Sequence, residues 1–285
     1  MTILREMTPK SSALVAFFAL TFLFSWSLWL PQVALEAGFE TGIVPADGAL
    51  EAVASLPEVG AFGPAVAAFV LVGISRGRSG IVRLLKRAVD RSFDRRWFVP
   101  ILVLFPAVAV IGVGVSLAFG GEPTYPWAGE LPALPIAFIW ILFLGGPLQE
   151  EFGWRGYALE PLLERFGALG GSLGLGFVWG VWHLPWFYMP TMDLYYQRPL
   201  IGFVITITLL SVVMTWVYAN TGGSLLAMLL MHASFNWALW AFPAIETDAG
   251  GQAFIFFMLV IVAVIVVRHG TSDFGTPRTT ADSTS

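Results

Sequence analysis

Eight long apolar runs follow one another along this chain of 285 residues, with short polar connections between them. An α-helix needs about 20 residues to cross the ~30 Å hydrocarbon core of a bilayer. Charged residues make up 12% of the chain, and a soluble domain carries roughly 25%. The sequence therefore predicts an all-α, polytopic membrane bundle of about eight transmembrane helices. The predicted spans cover about residues 13–34, 59–75, 97–119, 133–149, 170–187, 199–219, 224–242 and 252–268.

The basic residues are concentrated in the connection between the second and third predicted spans. The positive-inside rule places this connection in the cytoplasm. Alternating the other spans from it puts both termini in the cytoplasm and leaves 14 of the 15 Lys and Arg residues on that side, with only Arg198 outside. The basic connection contains Arg76, Arg78, Arg83, Lys86, Arg87, Arg91, Arg95 and Arg96. The predicted outer connections instead contain Glu36, Glu40, Asp47, Glu51, Glu58, Glu122, Glu130, Glu246 and Asp248.

The lengths of these segments leave no room for a separate soluble domain. We expect a cytoplasmic N-terminus at 1–12, a single transmembrane bundle over 13–270 and a disordered cytoplasmic tail at 271–285, where Ser, Thr and Asp replace apolar residues. The first apolar run exceeds the roughly 7–15 residues of a signal-peptide core, so we expect it to be retained.

The overall composition excludes several classes of function. The net charge of −4 is too small to indicate a nucleic-acid partner. The chain has no cysteine, which excludes disulfides, a cysteine nucleophile and thiolate metal ligands. The predicted partners are membrane lipids and a membrane-anchored substrate, and the sequence carries no signal for an oligomeric state.

Charged side chains at the cytoplasmic end of the fourth span are the first candidates for function, because each costs about 2.5 kcal/mol or more at membrane depth. Glu151 and Arg155 are four residues apart, in the order that favours an ion pair on a helix. Glu150 is turned away by about 100° and is left free for chemistry. The pair would then support the site, although an ordinary ion pair at a helix end is the alternative.

Two further spans carry polar residues among apolar ones. His183 lies in the fifth span, one helical turn after Trp179, and His232 and Asn236 lie one turn apart in the seventh. A single histidine in a span can be a simple interhelical hydrogen-bond donor. Together with Glu150, however, these groups need hydrogen-bond partners inside the membrane, and they can supply them to one another. This favours one shared polar cluster.

Such a cluster is suited to hydrolysis by either of two routes. In the first, Glu150, His183 and His232 hold a divalent metal, Zn²⁺ being the usual one, with a position left for an activated water. In the second, Glu150 acts as general base on a water held by His183, and His232 and Asn236 stabilise the oxyanion. The residues alone leave both routes open.

The sequence does not contain the catalytic motifs of the other intramembrane hydrolases considered. No His-Glu-x-x-His motif is present, and every aspartate falls in a predicted loop or in the tail. Ser224 and Ser234 are formal candidates for a serine enzyme, but that chemistry leaves Glu150 and Asn236 unexplained. A transporter could use the same polar cluster, although no internal repeat supports it.

The three motifs, in this order, resemble those of the CPBP family, the CAAX proteases and bacteriocin-processing proteins that are also called the Abi family. Glu-Glu-x-x-x-Arg stands at Glu150–Arg155, Phe-x-x-x-His falls on Trp179–His183 with Trp in place of Phe, and His-x-x-x-Asn is His232–Asn236. The resemblance covers about residues 130–245.

The resemblance implies a prokaryotic intramembrane metalloprotease, similar to type II CAAX prenyl endopeptidases, whose eight-helix fold opens its catalytic cavity to the cytoplasm. Its substrate would be a membrane-anchored protein or peptide, with or without a lipid modification. Glu150 and His183 would activate water, His232 and Asn236 would bind the oxyanion, and Glu151, Arg155 and Trp179 would support them. For this family, both a metal-dependent mechanism and a metal-free glutamate mechanism are argued, and the Trp179 departure is expected to alter only local packing. The alternative function is a non-catalytic protein of the same fold, in bacteriocin self-immunity or protein anchoring.

Overall fold

A computed structural model describes residues 11–43, 48 and 59–275. Within this part of the chain the secondary structure is helical throughout, without a strand, which confirms the all-α prediction. The helices are α1 (Ser11–Glu40), α2 (Gly63–Arg87), α3 (Phe98–Ala118), α4 (Ala133–Leu144), α5 (Pro147–Gly153), α6 (Leu159–Trp182), α7 (Leu200–Asn220), α8 (Leu225–Ala241) and α9 (Asp248–His269).

Six helical stretches among the described residues are long and apolar enough to cross a membrane. One of them, Ala133–Tyr188, runs from α4 through α6 and contains two of the predicted spans. Helix α8 is apolar but shorter. Every predicted span overlaps at least one helix. The chain is therefore an integral membrane protein by the length and composition of its helices.

Helix α2 continues well beyond the span predicted from its apolar residues. Its backbone turns at Gly77, where φ is +59°, and the helix then runs on to Arg87 through the basic segment. Leu84 in this extension is fully buried. Arg87 donates hydrogen bonds to the Gly156 carbonyl at 3.0 Å and to the Tyr218 hydroxyl at 2.8 Å. The basic connection is thus attached to the bundle rather than being a loose loop.

The start of the predicted tail also differs from expectation. Residues 271–275 pack on the bundle, since the Ala168 amide donates to the Ser272 carbonyl at 2.8 Å and Asn220 Nδ2 donates to the Phe274 carbonyl at 3.1 Å. Phe274 is fully buried. The expectations for residues 1–10 and 276–285, and those for Asp47, Glu51 and Glu58, lie outside the described residues.

Helices α6 and α7 lie close together because of two glycines on α6. A Cβ atom at Gly176 would lie 2.7 Å from Thr208 Cα, and one at Gly180 would lie 3.1 Å from Val204 Cα. Larger side chains would force the two helices apart. This close contact fixes the end of α6, which carries Trp179 and leads directly to His183.

A short and irregular segment links α4 to α6. Gly146 adopts a φ of +110°, which favours glycine, and its amide donates to Gln149 Oε1 at 2.7 Å. Helix α5 follows, and a π-helical turn, Trp154–Ala158, connects it to α6. Single π turns inside helices are frequent at functional sites. Both acidic residues of the first motif are on α5.

Candidate active site

The candidate site is a group of buried polar side chains on α5, α8 and the segment that follows α6. Glu150 is 2% exposed, His232 3% and His183 4%, and the side chains of Glu151 and Arg155 are fully buried. Asn236 is partly exposed. Each of these side chains therefore depends on neighbouring protein groups, because unsatisfied polar groups are costly in such surroundings.

Glu151 Oε1 joins the first motif to the third. Arg155 Nη1 donates to this oxygen at 2.8 Å, which is the ion pair expected from their spacing. His232 Nδ1 donates to the same oxygen at 2.8 Å. The proton on Nδ1 directs Nε2 of His232 away from Glu151. Glu151 therefore positions His232 as well as pairing with Arg155, a connection that helical spacing alone does not indicate.

Glu150 has a different environment from its neighbour and forms no ion pair among the described residues. Its Oε2 accepts hydrogen bonds from the indole nitrogens of Trp154, at 3.1 Å, and Trp179, at 2.5 Å. Its Oε1 lies next to Gly146. The carboxylate thus has one oxygen held by two donors and one oxygen turned toward the backbone before α5.

Three residues of the site come close together beside Gly146, which has no side chain. A Cβ atom on Gly146 would lie 2.8 Å from Glu150 Oε1, 3.4 Å from Asn236 Nδ2 and 3.6 Å from His232 Cε1. Asn236 Nδ2 also donates to the Gly145 carbonyl at 2.8 Å, which leaves its second hydrogen for another acceptor. Glu150, His232 and Asn236 therefore surround one small space that glycine keeps open.

His183 reaches this group through Trp179. Its Nδ1 donates to the Trp179 carbonyl at 2.9 Å, which leaves Nε2 unprotonated in the neutral ring. The centroid of the Trp179 ring lies 6.3 Å from that of His183 and 5.1 Å from that of His232. The guanidinium of Arg155 lies over the same ring, 4.4 Å from its centroid. Trp179 therefore contacts all three motifs.

A metal held by Glu150, His183 and His232 stays a prediction from the sequence. The described residues contain no group of three or more His, Cys, Asp or Glu side chains that could hold a metal ion. We therefore derive no chemical step through a metal at Glu150, His183 and His232.

The sequence did not identify Trp154 and Gly146 as parts of this site. It indicated only a packing role for Trp179. Trp154 is four residues after Glu150, and that spacing on a helix could have indicated a shared face. Nothing in the sequence alone indicated Gly146. Trp179 does more than fill space, because its indole N–H donates to Glu150 and the phenylalanine of the family motif has no such donor.

The fold and this site define a class: helical membrane proteins with a Glu–His–Asn cluster inside the bundle. Comparisons with known proteins show which family part of the chain resembles. Residues 132–238 match the family described as type II CAAX prenyl endopeptidase Rce1-like. CAAX prenyl protease 2 of Methanococcus maripaludis is 25% identical over 186 residues, which span 60% of this chain and 68% of that protein. Over residues 132–238 the chain is therefore similar to the Rce1-like CAAX prenyl endopeptidase family, which confirms the resemblance drawn from its motifs.

Proposed function

We propose that this protein is an intramembrane endopeptidase that hydrolyses a peptide bond close to the lipid anchor of a membrane-attached protein or peptide. The observation that carries the proposal is the orientation of Glu150. One carboxylate oxygen is held by two indoles, and the other faces the space shared with His232 and Asn236. A buried carboxylate presented in this way is suited to act as a general base.

The proposed reaction begins with a water molecule between Glu150 and the substrate carbonyl. Glu150 Oε1 removes a proton from the water, whose oxygen bonds to the carbonyl carbon, and Nε2 of His183 accepts the second hydrogen of that water as a hydrogen bond. The resulting tetrahedral intermediate carries an oxyanion. Glu150 then passes its proton to the leaving nitrogen as the carbon–nitrogen bond breaks, which returns the carboxylate to its starting state.

His232 and Asn236 are the proposed donors to that oxyanion. Asn236 has a second amide hydrogen beyond the one given to Gly145. His232 can donate from Nε2 when its ring is protonated, and the carboxylate of Glu151 at 2.8 Å compensates the positive charge. Loss of one such donor typically costs about 10²- to 10³-fold in kcat.

An apolar groove beside the site supports a lipid-bearing substrate. The groove has a volume of about 880 Å³ and lies along α4, where its lining includes Ile136, Trp140 and Trp240. Its lining also includes Gly145, whose carbonyl accepts the hydrogen bond from Asn236. A hydrocarbon chain in this groove would bring its attachment point close to the catalytic groups. We propose a prenyl group as that chain because the matched family is one of prenyl endopeptidases.

We further propose that the chain crosses a prokaryotic cell membrane eight times and that its site opens to the cytoplasm. Two observations support this topology. Each of the eight predicted spans overlaps at least one helix, and the resulting arrangement puts nearly all basic residues on one side. Both termini are then cytoplasmic.

Purified protein in liposomes tests the proposed function directly. We expect it to cleave a prenylated C-terminal peptide near the modified cysteine, as detected by mass spectrometry, and to act poorly on the same peptide without the lipid. Glu150→Gln should lower the rate by at least about 10³-fold, since it removes the base while keeping the shape of the side chain. Glu164→Gln, an exposed position on α6, is the control and should retain activity. Full activity in the Glu150→Gln variant would refute the assignment.

A further inference from the structure

To act as the proposed general base, Glu150 has to be ionised in an apolar bundle. Among the described residues, Arg155 pairs with Glu151, and no ion pair reaches Glu150. An anion in such surroundings needs hydrogen-bond donors in place of the water it has lost. Trp154 and Trp179 are the donors that the described residues supply.

Both donors use the same oxygen. The indole nitrogens of Trp154 and Trp179 approach Oε2, and neither approaches Oε1. Trp154 is fully buried and Trp179 is 1% exposed, so water does not compete for these bonds. Oε1 faces Gly146, Asn236 and His232 instead. The two bonds therefore fix which oxygen is available for proton transfer.

Aromatic neighbours hold each indole in place. The Trp154 ring packs edge-on against Phe17 of α1 and Trp182 of α6, with a centroid distance of 5.7 Å in each case. Arg155 covers the Trp179 ring at 4.4 Å, and His232 packs edge-on against it at 5.1 Å. Neither N–H can easily turn away, so the donors are in position before the substrate binds.

The two tryptophans also join separate parts of the chain. Trp154 begins the π-helical turn after α5, one turn beyond Glu150, whereas Trp179 lies 29 residues after Glu150 near the end of α6. Their shared acceptor therefore sets the position of α5 relative to the segment that carries His183.

We propose that Trp154 and Trp179 are positioning residues that form an indole clamp on Glu150, holding Oε2 so that Oε1 is presented as the proton acceptor. This inference rests on the proposed function for its kinetic consequence. Its structural content, two indole N–H groups bonded to one carboxylate oxygen, can be tested without any substrate.

The kinetic test removes each N–H while keeping an aromatic ring. Trp154→Phe and Trp179→Phe should each lower kcat by about 10- to 100-fold with little change in KM, because a hydrogen bond to a charged group is lost without changing the substrate groove. Trp216→Phe is the matched control, since the buried indole nitrogen of Trp216 has no hydrogen-bond partner among the described residues. It should leave kcat unchanged.

The spectroscopic test uses ¹⁵N-labelled indoles in the full-length protein in detergent. The Trp154 and Trp179 resonances, assigned from the two phenylalanine variants, should both move when Glu150 is changed to Gln, because a neutral acceptor replaces the carboxylate. The indole resonance of Trp237, which donates to the Leu134 carbonyl at 2.8 Å, should stay in place. The comparison requires folded protein but neither a substrate nor an active enzyme.

The two tests separate the clamp from the proposed function. If both resonances move in Glu150→Gln but the wild-type protein cleaves no lipidated peptide, the clamp stands and the peptidase proposal fails. If neither resonance responds, or if both phenylalanine variants retain wild-type kcat in an active enzyme, the clamp is wrong. A loss that appears in KM rather than kcat also contradicts it, because the clamp acts on the base and not on substrate binding.

Discussion

At the scale of single residues, the site depends on having glycine at position 146, where any side chain would occupy the space between the polar groups. Gly146 lies where Glu150 Oε1, Asn236 Nδ2 and His232 Cε1 come together, and its φ of +110° is one that larger residues rarely adopt. In the proposed reaction this is where water and the substrate carbonyl must meet. Gly146 therefore forms the turn before α5 and, in the proposed reaction, leaves space for the reacting groups.

Gly146→Ala should lower kcat by at least about 100-fold, because its methyl group would lie 2.8 Å from Glu150 Oε1. The positive φ should also lower the free energy of unfolding by about 1–3 kcal/mol. Gly120→Ala separates these effects, since Gly120 has a φ of +81° but no atom within 4 Å of the added Cβ. Peptide cleavage and thermal unfolding of both variants provide the measurement. Equal activity in the two variants would show that the space beside Glu150 is not needed.

At the scale of helices, the site depends on how closely α6 packs against α7. Gly176 and Gly180 face the α7 backbone, and the same stretch of α6 carries Trp179 and leads to His183. The clamp fixes Glu150 relative to α6, so a shift of α6 would change the positions of the indole donor and of His183 together. Packing between helices thus reaches the catalytic groups through Trp179.

Gly176→Leu should push α6 away from Thr208 and Ser211, to which a Cβ would come within 2.7 Å. We expect about 1–3 kcal/mol lower stability from overpacking, with most of the cleavage rate lost as well. Gly174→Leu, two residues earlier on the same helix, is the matched control because a Cβ there meets no atom within 4 Å. Thermal unfolding and cleavage assays compare the two. Similar behaviour of both variants would contradict the importance of this contact.

At the scale of the whole molecule, the sequence predicted what local patterns encode and missed what depends on distant contacts. Apolar runs indicated the helices, and the spacing of Glu151 and Arg155 indicated their ion pair. The bond from Trp179 to Glu150 joins residues 29 apart, and the docking of Phe274 by Asn220 joins residues 54 apart. No helical period indicates such contacts, because they arise only when the bundle packs.

The proposed topology can be tested with single cysteines, since the natural chain has none. Ser79, in the basic part of α2, and Ala128, in the connection between α3 and α4, are both exposed. In intact cells a membrane-impermeant maleimide should label Ala128→Cys but should label Ser79→Cys only after the membrane is permeabilised. The reverse pattern would invert the topology and place the site on the opposite side.

The central proposal is that Glu150 activates water for peptide hydrolysis without a bound metal. The most direct measurement is cleavage of a prenylated peptide by wild-type and Glu150→Gln protein, each stripped with a chelator and shown by elemental analysis to lack metal. We predict undiminished cleavage by the stripped wild-type protein and none by the variant. Cleavage that disappears with the metal and returns with Zn²⁺, or cleavage that persists in Glu150→Gln, would contradict the account.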